Sequence, residues 1–335
     1  MSTKPKTAYF EWLRLFAAAA VVLMHTAAKR WLSISHTVPE WEVLTLWDSL
    51  VRWPVPIFIM ITGALFLPRK TELKTALGRY IPRMAVGFLV WSGVYALYRG
   101  ELTLNGLVSG YYHLWYLPFL CGVYLTLPFL QKIAGDDTLA DQLLLVSLTV
   151  GTLFPWLVKR GELLLPEQSG LLTTLAGLVN YTFFFDHISL LLLGHRLHRT
   201  EFTRKQRRVI YLLGLLGVSV TGIATIWATS LTDFQNSLFF DIAAPNNLCA
   251  AAALFVFARQ HLRSLPKWVA VPAKHSFGIY LVHALVIDLL ADRGYHVLTW
   301  NPVWSVPVLS AAVFAISLTL AALLRRIPLI GKWIV

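Results

Sequence analysis

An arginine and a histidine separated by ten residues, Arg14-LFAAAAVVLM-His25, interrupt the first apolar stretch of the chain. At about 100° per residue, the eleven-step separation turns through about 1100°, roughly 20° beyond three full turns. On a helix both side chains therefore share one face, about 16 Å apart along the axis. An imidazole of ordinary basicity accepts a proton near physiological pH, which is what a general base needs. Ionisable groups at membrane depth cost about 2.5 to 3.5 kcal/mol even on mild scales, so they usually face a protein interior or a wet cavity. Taken singly, each residue has a plainer explanation: a histidine near a helix end, and an arginine about one turn from the inner end whose head reaches the interface. The shared face favours chemistry.

Further polar groups recur at helical spacing. Ser276, Tyr280 and His283 stand at i, i+4 and i+7, one face again, although such residues also bond across packed helices. Asp288 lies about 120° off that stripe. Tyr111-Tyr112-His113-Leu114-Trp115-Tyr116-Leu117 and the tryptophans Trp31, Trp41, Trp47 and Trp53 read first as aromatic belt, or as aromatic faces for a sugar in a wet outer cleft. Arg52 precedes Pro54 and Pro56 at the start of a span, where prolines are least costly. Arg69, Lys70, Lys74, Arg79 and Arg83 form a cationic cluster suited to phosphates or anionic lipid. Asp186 and His187 are a pair that a proton-coupled transporter would use. Cys121 and Cys249 read as apolar thiols, no metal-ligand spacing is present, and there is no internal repeat, phosphate-binding glycine loop or nucleophile elbow.

The elements that must position these groups are membrane helices. Of 335 residues, 57% are hydrophobic and 14% charged, and mean hydropathy is +0.62, well outside the soluble balance. Apolar runs long enough to cross a bilayer predict ten spans: Phe10 to Ala28, Leu50 to Leu67, Tyr80 to Tyr98, Leu114 to Ile133, Leu139 to Val158, Leu175 to Leu193, Val209 to Thr229, Leu238 to Ala258, Phe277 to Asp292 and Trp304 to Leu324. The expected fold is all-α, a polytopic helical bundle forming a single domain over 1–335 with no separate soluble domain. The net charge of +12 does not point to nucleic acid, because its distribution follows topology: of 29 Lys and Arg, 21 fall on one set of alternate loops and seven on the other, with Arg14 inside the first span. That bias puts both termini in the cytoplasm and His25 toward the outer leaflet. Arg14 breaks the first apolar run, so an uncleaved anchor is expected there.

Four blocks in this order resemble the membrane-bound acyltransferase 3 family, specifically its short single-domain O-acetyltransferases. They are Arg14-x10-His25; Ser49-Leu-Val-Arg52-Trp-Pro-Val-Pro56-Ile-Phe58-Ile-Met-Ile-Thr-Gly63; His113-Leu-Trp115-Tyr116-Leu, similar to the family's HLWFL; and Ser276-Phe-Gly278-Ile-Tyr280-Leu-Val-His283, similar to its S-x-GIY-x-x-H. Thr62 stands where serine is more usual, which keeps the hydroxyl. An additional C-terminal esterase-like domain of the kind some relatives carry is not expected.

The resemblance implies transfer of an acyl group, usually acetyl from cytoplasmic acetyl-CoA, to a hydroxyl of a glycan or lipid-linked sugar at or beyond the outer leaflet of a bacterial cytoplasmic membrane. His25 would be the base or a transient acyl carrier, and Arg14 would contact the donor. Arg52, Trp115, Ser276, Tyr280 and His283 would shape the passage, and Arg69, Arg79 and Arg83 would bind donor phosphates. No bound cofactor or metal is expected; acyl-CoA is a co-substrate, and membrane lipid surrounds the protein. A small-solute transporter and a non-catalytic subunit of a polysaccharide export system are the alternatives.

Overall fold

The first helix, α1 (Ala8–Trp31), has Glu11 in its first turn and Lys29 and Arg30 in its last, the order a helix dipole favours. In the computed structural model, which describes residues 7–165, 167, 170, 171, 174, 187–328 and 330–335, helices dominate and the described residues contain no strand. α2 (Pro39–Ser49) and α3 (Pro54–Phe66) each begin with proline in the first turn. α4 (Ile81–Tyr98) follows a π-helical turn at Ala76–Tyr80, and α5 (Tyr116–Ala134) runs back. α6 (Asp137–Val146), capped by Asp136, continues through π-helical Ser147–Leu153 into α7 (Phe154–Leu164). After α8 (Ile188–Arg199) comes α9 (Arg204–Thr232), opened by a Thr203–Gln206 capping box. α10 (Pro245–His261), α11 (Lys267–Lys274), α12 (Ser276–Ala291) and α13 (Pro302–Leu324) complete the bundle.

Eight helices among the described residues are long and apolar enough to span a membrane, or nine if α11 and α12, bent by 67°, count as one. The second span differs most from expectation. It covers Pro39–Phe66 rather than starting at Leu50, because Glu40, Glu42 and Asp48 hide α2 from a hydropathy reading. Residues 50–53, including Arg52, form a break inside it. The expected sixth span, Leu175 to Leu193, lies largely outside the described residues, as does Asp186; its continuation is α8.

The Arg14–His25 helix lies at the centre. α1 packs against α2, α3, α10, α11, α12 and α13, so its polar face meets protein. α3 and α8 cross with their backbones nearly touching: a Cβ on Gly63 would lie 1.9 Å from the Leu191 carbonyl oxygen, and one on Gly194 would lie 2.1 Å from that of Met60. Small residues permit such an approach between membrane helices. α9 uses the same device at Gly214 and Gly217 against α10, while Leu212, Leu215, Leu216 and Ile223 face outward.

Candidate active site

The face deduced from the Arg14–His25 spacing lines a cavity of about 390 Å³ together with Val21 and Met24. Arg52, Trp115, Ser276 and Tyr280 also line it, so the structure brings six of the sequence-derived residues around one space. Arg14 forms an ion pair with Glu11, one turn away. Tyr280 gives its hydroxyl hydrogen to the His113 carbonyl.

His283 stands one layer back. It is fully buried and is not among the cavity-lining residues; its Nε2 lies 2.7 Å from His25 Nδ1, with the ring planes inclined by 11° and the centroids 5.0 Å apart. Its Nδ1 is 2.6 Å from the Tyr280 carbonyl and 3.2 Å from that of Ile279. A carbonyl only accepts, so His283 Nδ1 carries hydrogen and, in the neutral ring, Nε2 is an acceptor. His25 Nδ1 must then be the donor in the pair, which leaves the lone pair on His25 Nε2. Two backbone carbonyls thus fix the tautomer of the ring that lines the cavity, through one intervening imidazole.

α12 is held in register for this contact by Tyr95, which is buried. Its hydroxyl donates to the Leu281 carbonyl at 2.8 Å and accepts from the Leu285 N–H at 3.0 Å, the donor and acceptor of one helical turn flanking His283. A third imidazole, His113, packs edge-on to His283 at 5.0 Å and lines the cavity. The rings do not converge on a common point: no group of three metal-ligating side chains is found among the described residues. Cys121 and Cys249 are unpaired and half-buried.

At the end of the cavity remote from His25, aromatic rings form a collar. Phe66, Tyr80 and Tyr124 pack with centroids 5.2 to 5.7 Å apart, and Phe66, Tyr124 and Phe277 line the cavity. The three arginines read as phosphate ligands sit on this collar: Arg69 over Phe66 at 5.3 Å, Arg79 over Tyr80 at 6.0 Å and Arg83 over Phe277 at 5.3 Å. Arg69 also lines a pocket of about 840 Å³ with Lys70, Lys132 and Arg199, whose lining does not include Arg79 or Arg83. Arg83 Nε is buried with no hydrogen-bond partner.

Several expectations change. Trp31 and Trp41 are buried and packed together at 5.4 Å rather than forming a belt, because they fill the space between α1, α2 and Phe240. Asp288, off the α12 stripe as expected, pairs with Lys29 and accepts from Tyr111. His187 packs on Trp115 and Phe119, at 6.2 and 4.6 Å. Tyr116, from the His113-Leu-Trp115-Tyr116-Leu block, is on the cavity wall, as is Phe240, which carries no spacing signal that would single it out in the sequence.

A family model for an acyltransferase domain matches residues 7–324, nearly the whole chain. No curated protein and no solved structure matches it.

Proposed function

This chain belongs to that acyltransferase family and is a multi-pass membrane protein that transfers acyl groups; from that premise we propose that it moves an acyl group, acetyl in the first instance, from cytoplasmic acyl-CoA to a hydroxyl of a cell-envelope glycan or lipid-linked sugar, in a bacterial cytoplasmic membrane, with His25 as general base. The supporting observation is the His25–His283 pair, because it leaves His25 Nε2 unprotonated on a ring that lines a cavity whose far end carries Arg14 and the arginine-capped collar.

In this reading the donor's anionic head rests on Arg69, Arg79 and Arg83 and its thioester arm runs along α1 past Arg14. The acceptor O–H gives its proton to His25 Nε2 as its oxygen bonds to the thioester carbonyl carbon. The resulting oxyanion needs a donor. Tyr280 has its hydrogen engaged by the His113 carbonyl, so Tyr116, the other phenol on that stretch of wall beside Thr62, takes the part. Collapse breaks the carbon–sulfur bond, and the departing thiolate takes the proton back from His25 Nε2.

The test uses purified protein in lipid nanodiscs with labelled acetyl-CoA, read as CoA release and as acyl ester. His25→Ala should abolish both while folding normally, and Tyr116→Phe should lower kcat about a hundredfold, the usual worth of one oxyanion donor. Full transfer by His25→Ala would remove the proposed base. Mass spectrometry of envelope glycans from cells with and without the protein identifies the group and its acceptor.

A further inference from the structure

Arg52 and Phe240 belong to two cavities at once. On one side they line the His25 cavity; on the other they line a pocket of about 420 Å³ with Trp31, Asp48, Lys159, Ser237, Leu238 and Asp241, a volume typical of small-molecule sites. The Arg52 guanidinium lies 3.9 Å from the Phe240 ring centroid, so the pair forms a thin partition between the two spaces.

Its two halves are held differently. The Phe240 backbone is pinned: Asn246 and Asn247 donate to the Phe239 carbonyl at 2.9 and 3.2 Å, Asn247 donates to that of Asp241 at 2.7 Å, and Arg160, clamped between the Trp156 and Phe239 rings at 4.6 and 4.8 Å, donates to that of Leu238. Arg52 sits in the break between α2 and α3, and one carboxylate, Asp48 Oδ2, holds its head. Behind that ion pair, two buried polar atoms have no hydrogen-bond partner, Asp48 Oδ1 and Arg52 Nε. Asp48 is wholly buried. An orphaned buried acceptor of this kind is costly, and a bound hydroxyl would satisfy it.

We propose that this pocket is the acceptor site and that it selects a vicinal diol on an uncharged sugar ring. When the Arg52 head swings off Phe240, it opens the route to His25 and uncovers both orphaned atoms. One hydroxyl donates to Asp48 Oδ1 and its neighbour accepts from Arg52 Nε, which places an acceptor hydroxyl beside the base. The pocket's charges balance, Arg52 and Lys159 against Asp48 and Asp241, with Lys159 and Asp241 paired at 3.1 Å, so it favours a neutral ring over an anionic one. This inference rests on the acyl-transfer reading above.

Full-length protein in nanodiscs with acetyl-CoA would be given either cis-cyclohexane-1,2-diol or cyclohexanol, with CoA release and alcohol ester both measured. The diol's KM should lie about tenfold or more below that of the mono-alcohol, the value of one hydrogen bond to a charged group. Asp48→Asn should erase most of that preference. Ser237→Trp, which fills the pocket from the Phe240 turn and leaves both residues of the ion pair in place, should raise the diol's KM about tenfold and covers the case in which Asp48→Asn fails to fold. Equal KM for the two alcohols, a preference that survives both substitutions, or CoA release with no ester of either alcohol overturns the site while leaving acyl transfer standing. No CoA release from wild type beyond that of His25→Ala removes the underlying reading, and the site with it.

Discussion

Replacing His283 tests whether it acts through His25. In the proposed reaction His25 takes the acceptor proton and becomes an imidazolium, and its bond to His283 Nε2 at 2.7 Å becomes charge-assisted. Such bonds are worth about 1.5 to 3 kcal/mol, so His283→Ala should lower kcat about 10- to 160-fold. Donor KM should move little, because His283 is behind the cavity wall and not on it. His283→Gln places an amide oxygen where Nε2 was, able to accept from His25 Nδ1–H, and should recover most of the loss; His283→Met, similar in bulk but with no comparable acceptor, should not. The assay is acetyl-CoA turnover in nanodiscs, with thermal unfolding of each variant as the control for folding. A His283→Ala protein with wild-type kcat would refute the relay. Equal losses in the Gln and Met variants would refute it too, because they would trace the effect to packing.

The collar arginines and the helix crossings give two further expectations. Arg83→Gln should raise the KM for acetyl-CoA about tenfold with kcat within about twofold, since a phosphate contact made in both ground and transition states acts as uniform binding; unchanged CoA affinity by titration calorimetry would cancel the assignment. Gly63→Val should lower the unfolding temperature in detergent, because a Cβ there meets the Leu191 carbonyl oxygen at 1.9 Å and the helices must part, at a cost of about 1–3 kcal/mol or more. Gly122→Ala is the control, with nothing within 4 Å of the added carbon, and an equal fall in both would show that the crossing is not the cause.

What could be read from the chain beforehand followed helical period. Arg14 and His25 fall on one cavity wall because the angle between them depends only on the helix, and the same reasoning put Ser276 and Tyr280 on the side of α12 that lines the cavity. Period alone could not say that His283, on the same stripe, lies behind His25, since that depends on how far α12 slides along α1. That offset is set by contacts remote in sequence, among them Tyr95 with Leu281 and Leu285. Hydropathy misplaces the start of the α2–α3 span because the carboxylates of α2 obscure it, and one of them, Asp48, leaves an orphaned oxygen beside Arg52. Phe240 was invisible for a different reason: it belongs to a short turn fixed by asparagine side chains, with no periodicity to betray it.

The choice of histidine behind histidine follows from the surroundings. Soluble acyl-transfer sites commonly orient a catalytic imidazole with a carboxylate, whose charge also stabilises the imidazolium. In the centre of a membrane bundle an added ion is expensive to bury unless it is paired. A neutral imidazole anchored on backbone carbonyls supplies the orientation and a strong acceptor without that cost. The carboxylate of this helix, Asp288, comes five residues later and is already engaged by Lys29 and Tyr111. In the proposed reaction His25 therefore works without a carboxylate partner, and with Arg52 on the same cavity wall a proton taken from an alcohol is held only briefly before it returns to the leaving thiolate. That brevity suits a base which must be free again at the end of each turnover.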